Sequence, residues 1–463
     1  MKYLKIFFIL TGTLLFIMTG SFAGFAQDTP GSAQEIEQLK NSVKILMDRV
    51  KELERQVQIK SATKSNGAEV NQQVIKEQVQ TVREIKEALG HLEFSGGVTT
   101  VLQGTSGNDD NPPNYGDSTD GAFTVDLNIA THFGRYGNFF VHLEGGEGEG
   151  LNDDVASFSI PNYDSYATRN RNNQSDITIS EAFYEITPFD DKMAFDVGKM
   201  DISVLFDENE AAGDETSQFL SNIFVKSMGL TIPEPDNFYC PAVMVKLAPV
   251  DLVEFRVIGA SVEDDNWEDV FDHGFLATQI AFKPKLFGKP GNYRIYGWWD
   301  CRRHLENQDL AVANGRAIPV YNDSLAEETQ KGWGISLDQQ IVEGVNGFVR
   351  YSQTNDDLSR WNGAEWEIIP FNRLWTLGVQ LSGEIWQRER DTFGVAFGKT
   401  VLTDDYRKAN VHTGDESYLE SYYRLGVTDR LAISGDLQWV KNAGGNSLAN
   451  DVYIFGLRGQ LGF

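Results

Sequence analysis

The sequence predicts an all-β transmembrane barrel of about 16 antiparallel strands, preceded by an α-helical coiled coil. Three observations lead to this fold class. From residue 92 onward, apolar and polar residues alternate with a period of two, in segments bounded by Gly, Asn and Asp. The connections between these segments are alternately short and long. An apolar run near the start of the chain is typical of an exported protein.

Residues 1–26 have the features of a cleaved secretory signal peptide. Lys2 and Lys5 precede an apolar run from Ile6 to Met18, and small residues follow this run up to Ala26. The apolar run is short for a helix that crosses a bilayer. We therefore expect export of the chain and removal of this segment.

Residues 34–60 predict a coiled coil. Apolar residues recur there at alternating spacings of three and four, which is the a/d pattern of a heptad repeat: Ile36, Leu39, Val43, Leu46, Val50, Leu53 and Val57. Such a segment favours a homo-oligomer, either a trimer or a dimer, and the alternative is an amphipathic helix that packs on its own chain. Residues 61–91 predict a polar linker and a second, looser helical segment that ends at Gly90.

Sixteen candidate strands fill residues 92–463. Their predicted bounds are 92–105, 121–133, 137–145, 176–187, 192–203, 239–248, 251–262, 273–284, 291–302, 331–342, 345–354, 373–383, 391–401, 415–427, 430–440 and 451–463. Connections after even-numbered strands are short, whereas those after odd-numbered strands are long and acidic, which is the topology of an outer-membrane barrel. The strands 176–187 and 192–203 alternate poorly, so a bulge or a shifted boundary is expected there.

The last predicted strand shows the alternation most clearly. One face carries apolar residues up to the terminal Phe463, and the opposite face carries Arg458 and Gln460. A soluble sandwich with its apolar faces turned inward would fit the alternation equally well. The membrane barrel is favoured by the export signal, the aromatic residue at the end of the chain and the alternation of short and long connections.

A barrel of sixteen strands encloses a lumen too wide for side chains to fill, so an aqueous channel is expected. Inward projection of the alternation gives the predicted solute-binding residues: Arg256, Arg294, Arg350, Arg424, Arg458, Asp126, Glu144, Glu254, Asp338, Glu420, Asp436, Tyr296, Trp298, Tyr418 and Tyr422. Charges of both signs and flat rings suit neutral polyols better than bare ions. The alternative is that these residues solvate the inner wall and pair with one another.

The connection 204–238 is the longest and least resembles a surface loop. Its acidic first part predicts a constriction loop formed by Asp207, Glu208, Glu210, Asp214 and Glu215. Phe219, Leu220, Ile223 and Phe224 then recur at helical spacing and need a surface to pack against. We expect this loop to enter the lumen, narrow it and face the arginines. The alternative is a short external helix packed on neighbouring loops.

The remaining composition limits the function classes. A net charge of −27 argues against nucleic acid as a partner. The six histidines have no paired metal-ligand spacing, and no nucleotide-binding or Ser-His-acid fingerprint is present, so we expect no enzyme, no cofactor and no metal. Cys240 and Cys301 have two predicted strands between them, which is too far for a disulfide without a loop shift. The acidic loops could join lipopolysaccharide through divalent ions, or they could be a solvated external face.

Five segments carry a resemblance to the carbohydrate-selective (OprB-type) porins: His142–Leu151, Asp196–Asp201, Asp214–Leu220, Gly394–Gly398 and Phe455–Phe463. The resemblance covers the chain from Leu92 onward and implies a sixteen-stranded outer-membrane barrel that passes sugars by diffusion. The long loop after the fifth strand resembles the constriction loop of general porins in position. The coiled coil is similar to that of porins with a periplasmic stalk, and phosphate-selective porins often carry such a helix too.

These inferences together predict a passive porin of the bacterial outer membrane, in contact with lipid and lipopolysaccharide. It would pass small hydrophilic solutes, chiefly carbohydrates, and carry a periplasmic N-terminal stalk, with both chain ends on the periplasmic side. One alternative is an anion- or phosphate-selective porin. The other is a tether between outer membrane and cell wall in which the barrel is the anchor.

Overall fold

The computed structural model describes residues 92–108, 111, 116–133, 137–168, 177–203, 205–227, 239–262, 267, 274–307, 310–313, 316–319, 328–355, 357–361 and 366–463. The predicted signal peptide, coiled coil and second helical segment lie outside the described residues.

Sixteen long strands in the described residues form one closed antiparallel barrel. They are β1 (Leu92–Ser106), β2 (Thr119–His132), β3 (Asn138–Glu147), β4 (Thr178–Ile186), β5 (Met193–Asp201), β6 (Tyr239–Val250), β7 (Val253–Ser261), β8 (Gly274–Phe282), β9 (Lys289–Glu306), β10 (Glu328–Val342), β11 (Val345–Thr354), β12 (Phe371–Ser382), β13 (Thr392–Leu402), β14 (Ser417–Gly426), β15 (Leu431–Lys441) and β16 (Val452–Gly462). Each strand pairs with the next, and β16 pairs with β1 through contacts such as Leu102 opposite Leu457. The predicted barrel and its strand order are confirmed.

The barrel has its apolar side chains outside and its polar side chains inside. Leu437 and Leu457 on the outer face are 53% and 56% exposed, whereas Arg350 and Glu420 on the inner face are 0% exposed. A water-soluble sandwich would place its apolar faces together. The observed inversion is the one expected of a barrel whose outer surface meets hydrocarbon.

The two ends of the barrel differ in their connections. The short-turn end is formed by 133–137, 187–192, 251–252, 283–288, 343–344, 383–391 and 427–430. At the opposite end, called the long-loop end, the stretches of chain between consecutive strands are 107–118, 148–177, 202–238, 262–273, 307–327, 355–370, 403–416 and 442–451. The predicted alternation of short and long connections is therefore confirmed.

Short elements decorate these connections. Among the described residues, further strands are Pro188–Asp191, Lys285–Leu286, Leu310–Ala313, Arg316–Pro319, Leu358–Trp361 and Trp366–Ile368, and the α-helices are α1 (Tyr163–Thr168), α2 (Asn222–Val225) and α3 (Asp404–Ala409). Thr403 is the N-cap of helix α3, and its side-chain oxygen accepts a hydrogen bond from the Tyr406 N–H at 3.1 Å. None of the helices among the described residues is long and apolar enough to span a bilayer.

A β-bulge lies in β4, where the alternation of the sequence is poor. His142 of β3 pairs with Glu181, but the next residue, Leu143, pairs with Ile179, so Ser180 is the extra residue. A bulge shifts the side chains that follow it to the other face of the strand. The irregularity expected in strand 176–187 is confirmed.

Aromatic rings on the inner wall lie over glycines of the neighbouring strand. Tyr296 of β9 is directly opposite Gly334 of β10, and Tyr422 of β14 is opposite Gly394 of β13. A Cβ atom built on Gly394 would lie 2.2 Å from the Tyr422 ring. These glycines therefore let the rings lie flat against the wall, since any larger residue would collide with them.

Candidate pore and its inner loop

Residues 205–227 of the connection between β5 and β6 fold into the barrel, and they are called the inner loop here. Asp207 joins the two ends of this segment. Its N–H donates to Gln279 Oε1 at 3.0 Å, and its carboxylate accepts a hydrogen bond from the Ser227 N–H at 2.7 Å. Asp207 adopts a φ of 63°, a left-handed conformation that aspartate tolerates better than most residues. Burial raises the pKa of Asp207 to about 6, and the nearby Arg350 guanidinium opposes this shift.

Arg350 of β11 anchors the inner loop to the wall. Its Nε forms an ion pair with Asp207 Oδ2 at 2.8 Å. Its Nη2 donates to the carbonyls of Asp207 at 3.1 Å and Ala212 at 2.6 Å. The same group donates to the Val225 carbonyl at 3.1 Å, and Nη1 donates to the Phe224 carbonyl. One guanidinium thus holds both the start and the end of the inner loop, which its planar array of donors permits.

Two further charged residues of the wall bind the backbone of the inner loop. Arg458 of β16 donates to the carbonyls of Glu215 and Gln218, both at 2.7 Å. Glu420 of β14 accepts hydrogen bonds from the N–H groups of Leu220 at 2.5 Å and Ser221 at 3.1 Å. These bonds satisfy backbone groups that a buried loop would otherwise leave unpaired.

A chain of ion pairs crosses the inner wall beside the start of the inner loop. Arg256 contacts Glu254 at 2.7 Å and Glu208 of the loop at 2.8 Å. Glu208 also lies 3.7 Å from Arg294, and Arg294 donates to Asp338 at 2.7 Å. The arginines and carboxylates are therefore paired with one another.

The apolar residues of the inner loop pack against aromatic residues of the wall. The Phe219 ring meets the Tyr422 ring edge-on, with 4.9 Å between centroids. The Phe224 ring lies 6.0 Å from the Tyr418 ring, and Ile223 and Phe224 belong to α2. Edge-to-face pairs of this kind stabilise beyond the area that they bury. The inner barrel wall is thus the packing surface of these apolar residues.

The aromatic residues predicted as stacking faces for a solute are covered by protein. Tyr418 and Trp298 are 0% exposed, Tyr422 is 1% exposed and Tyr296 is 2% exposed. The two rings on β14 lie beneath the inner loop, and the Tyr296 and Trp298 rings pack against each other at 6.1 Å. This differs from the expectation of open faces, because the inner loop occupies the space that the strand pattern assigned to solute.

Four of the other predicted wall residues lie on strands of the barrel. Asp436 accepts from Gln438 Nε2 at 2.9 Å on β15, and Arg424 donates to Gln460 at 3.2 Å. Asp126 and Glu144 lie on β2 and β3 beside His142.

The predicted loop acids Glu210 and Asp214 are exposed, and Asp214 accepts hydrogen bonds from the backbone of the turn that follows it, at 2.9 and 3.1 Å. Cys240 and Cys301 are free cysteines, the first buried and the second exposed.

Part of a second connection also enters the barrel, which the pattern of the sequence did not predict. The second loop (residues 148–168, after β3) meets the inner loop where the Tyr163 N–H donates to the Leu220 carbonyl at 2.9 Å. Its Pro161 carbonyl accepts hydrogen bonds from two inner-wall glutamines, Gln103 at 3.3 Å and Gln438 at 3.0 Å. Apolar residues inside this otherwise polar connection, such as Phe158, were the signal that could have revealed it.

Glu416, just before β14, fastens the second loop at the long-loop end. Its carboxylate accepts hydrogen bonds from the N–H groups of Phe158 at 3.1 Å, Ser159 at 3.2 Å and Gly444 at 2.8 Å. The Ser157 hydroxyl donates to it at 2.9 Å. Burial raises the pKa of Glu416 to about 7, although these donors favour the charged form and oppose the shift.

The stability of the long-loop end is expected to fall as the pH rises through this range. The folded state keeps the Glu416 proton up to a pH of about 7, whereas the unfolded chain loses it near its ordinary pKa of 4.5. Stability from this group is therefore fully present below about 4.5 and is lost by about 7. Glu416→Gln cannot titrate, so it should flatten the dependence of the unfolding temperature on pH between these limits.

The measurement is a series of thermal unfolding scans in detergent from pH 4.5 to 7.5. Glu389→Gln changes an exposed glutamate at the short-turn end and serves as the matched control, with the wild-type slope expected. Equal slopes for wild type and Glu416→Gln would contradict the assignment.

Comparisons with known proteins agree with this architecture. The model of the carbohydrate-selective porin, OprB family, matches residues 113–463. Porin B of Pseudomonas aeruginosa is 22% identical over 208 residues, which cover 41% of this chain and 45% of that protein, so the match spans less than half of the relative. The high-pH structure of Pseudomonas putida OprB has a TM-score of 0.66 at 16% identity, and the match covers 84% of this chain and 97% of that one.

The family match covers most of the chain and all of strands β2 to β16. The structural likeness independently supports the fold of the whole barrel. The apolar outer surface shows that the barrel lies in a membrane, and the family match makes this the bacterial outer membrane. The chain therefore belongs to the carbohydrate-selective porin, OprB family, and is an outer-membrane porin.

Proposed function

We propose that the barrel passes small neutral carbohydrates by passive diffusion through a constriction formed by the inner loop and the second loop. The observation that carries this proposal is the position of the inner loop, which positively and negatively charged wall residues hold across the lumen. Arg350, Arg458 and Glu420 bind its backbone from three different strands. A loop held in this way narrows the path and brings polar groups close to any solute.

The pairing of charges favours neutral solutes over ions. The Arg256–Glu208 and Arg294–Asp338 pairs each combine one positive and one negative group. Gln460 accepts from Arg424 at 3.2 Å and donates to Thr216 of the inner loop at 2.9 Å. Groups paired in this way present no excess of one sign of charge to a solute, so the wall does not select for an anion or a cation.

Liposome swelling tests the solute class. We expect neutral sugars to enter faster than a sugar acid or an amino sugar of the same size, with rates that fall as the sugar grows. Faster entry of the sugar acid, with reversal potentials that show strong anion selectivity, would instead favour the anion-selective alternative. An absence of channels in planar bilayers would favour the tether.

Deletion of residues 208–224 tests the constriction. Removal of this part of the inner loop is expected to increase single-channel conductance and to weaken discrimination between small and large sugars. A matched control is deletion of the hairpin 310–319, whose two strands pair with each other at the long-loop end. Unchanged conductance after the 208–224 deletion, or the same increase after the control deletion, would contradict the proposal.

We further propose that residues 34–60 assemble the porin into a dimer or trimer after removal of residues 1–26, with residues 61–91 as the connection to the barrel. The heptad pattern of the sequence supports this proposal. Light scattering of the purified protein in detergent measures the copy number. A variant without residues 34–60 is expected to have a lower copy number, and an unchanged one would contradict the role of the coiled coil.

A further inference from the structure

Strands β2 and β3 bring one histidine and two carboxylates together on the inner wall. Asp126 lies directly opposite Glu144, and His142 is two residues before Glu144 on the same face of β3. One donor atom from each of these three side chains lies within 4.8 Å of the other two. A single ion in their midst could therefore reach all three. The pairing of two strands creates this cluster, so the spacing of histidines in the sequence could not reveal it.

The groups around the cluster fix the orientation of its members. His142 Nε2 lies 3.2 Å from Asp126 Oδ1, and His142 Nδ1 lies on the other side of the ring, 3.8 Å from Glu181 Oε2. This leaves Nε2 directed at the cluster and Nδ1 directed at a carboxylate. Metal-binding histidines usually have a carboxylate beside the ring nitrogen that does not bind the metal, and Glu181 is such a neighbour here, although 3.8 Å is longer than a hydrogen bond.

Glu144 is also held in place. Its Oε2 accepts hydrogen bonds from Ser180 Oγ at 2.5 Å and from the Tyr239 hydroxyl at 2.6 Å. Ser180 is the extra residue of the bulge in β4, so the irregularity of that strand supplies one of the two groups that position this carboxylate. Two such bonds to one oxygen restrict the side chain to one orientation.

We propose that Asp126, His142 and Glu144 form a binding site for a divalent transition cation of the zinc type on the inner wall of the porin. One imidazole nitrogen and two carboxylate oxygens are ligands that Zn²⁺ accepts, and water from the channel would complete its coordination. The side chains of His142 and Asp126 are 16% and 22% exposed, so an ion can reach them. Ca²⁺ fits less well, because it takes six to eight oxygen ligands.

The bound cation would change the charge of this part of the wall. Asp126, Glu144 and Glu181 surround one imidazole, and Asp164 of the second loop lies beside them through its hydrogen bond from Thr124 at 2.6 Å. A divalent ion offsets part of this negative charge. It also links β2 to β3 through their side chains.

Calorimetric titration of the purified full-length protein with ZnCl₂, after removal of metals with a chelator, tests this site. We expect one equivalent of Zn²⁺ per chain, and Co²⁺ as a probe should give visible absorption bands that Zn²⁺ abolishes. His142→Gln should weaken Zn²⁺ affinity by about 100-fold or more. Glu181→Gln should weaken it by roughly 10-fold, because it removes the negative charge beside Nδ1. His412→Asn, which changes an exposed histidine in a loop, should bind as the wild type does.

Binding and folding can be separated in this test. Circular dichroism and gel mobility before and after heating establish that each variant forms the barrel. A folded wild type that takes up no Zn²⁺, or a folded His142→Gln that binds it with wild-type affinity, would overturn the proposal. Displacement of Zn²⁺ by an equal concentration of Ca²⁺ would overturn the assignment to a transition cation. None of these outcomes depends on which solutes the channel passes.

Discussion

Replacing Arg350 by alanine is expected to release the inner loop from the barrel wall and to increase single-channel conductance. Arg350 is 0% exposed, and it forms the ion pair with Asp207 as well as hydrogen bonds to four loop carbonyls. Its loss would leave a buried carboxylate and several buried carbonyls without their partner. Removal of one member of a buried ion pair costs about 3–5 kcal/mol. We expect the state in which the loop is bound to the wall to be destabilised by this amount.

Hydrogen exchange of residues 205–227 and planar-bilayer recordings measure this effect. Arg350→Lys should recover little of the wild-type behaviour, because one ammonium group cannot reach carbonyls at both ends of the inner loop. Arg390→Ala is the matched control: Arg390 pairs with Asp429 at 2.6 Å, but both side chains are mostly exposed, so its loss should cost at most about 1 kcal/mol. Wild-type exchange and conductance in Arg350→Ala would show that the other wall contacts are sufficient to seat the loop.

Replacing Leu437 by arginine is expected to destabilise the inserted barrel by about 2–4 kcal/mol, the cost of an arginine on the lipid face near the bilayer midplane. Leu437 lies within β15, with its side chain on the exposed outer face and its neighbours Asp436 and Gln438 on the inner face. An arginine at this position cannot turn into the lumen, because the side-chain period of the strand fixes its direction.

Urea unfolding from lipid vesicles measures the change in the free energy of unfolding. Leu431→Arg is the matched control, since Leu431 lies on the same face of the same strand but begins it at the short-turn end. The cost of arginine there should be about 0–1 kcal/mol. Equal losses in the free energy of unfolding at the two positions would contradict the placement of Leu437 near the bilayer midplane and of Leu431 near its surface.

The strands could be predicted because their signal is local. Each strand separates hydrocarbon from a wet interior, so every second residue must be apolar wherever the strand crosses the membrane. The pattern predicted poor alternation in strands 176–187 and 192–203, and the bulge at Ser180 interrupts the period of the first of them. The residues 205–227 could be expected to pack inside because Phe219, Ile223 and Phe224 are too apolar for a free external loop.

The fine structure of the pore could not be predicted in the same way. The inward direction of Arg350 follows from the alternation, but its hydrogen bonds reach carbonyls 125 to 143 residues away. Glu416 likewise binds a loop more than 250 residues earlier in the chain. No period or spacing encodes such contacts. The strand pattern alone therefore leaves Tyr418 and Tyr422 open to solute, and it does not indicate the second loop.

The sequence by itself determined that the chain forms a barrel of sixteen strands, which face is apolar in the strands that alternate regularly, and which connections are long. These features depend on residues next to one another along the chain and on the two solvents that each strand separates. The tertiary structure decided which inward residues hold the inner loop, which rings that loop covers, and that Asp126, His142 and Glu144 meet on one wall. Those outcomes depend on strand register and on the paths of two loops through the lumen, which arise from contacts between distant parts of the chain.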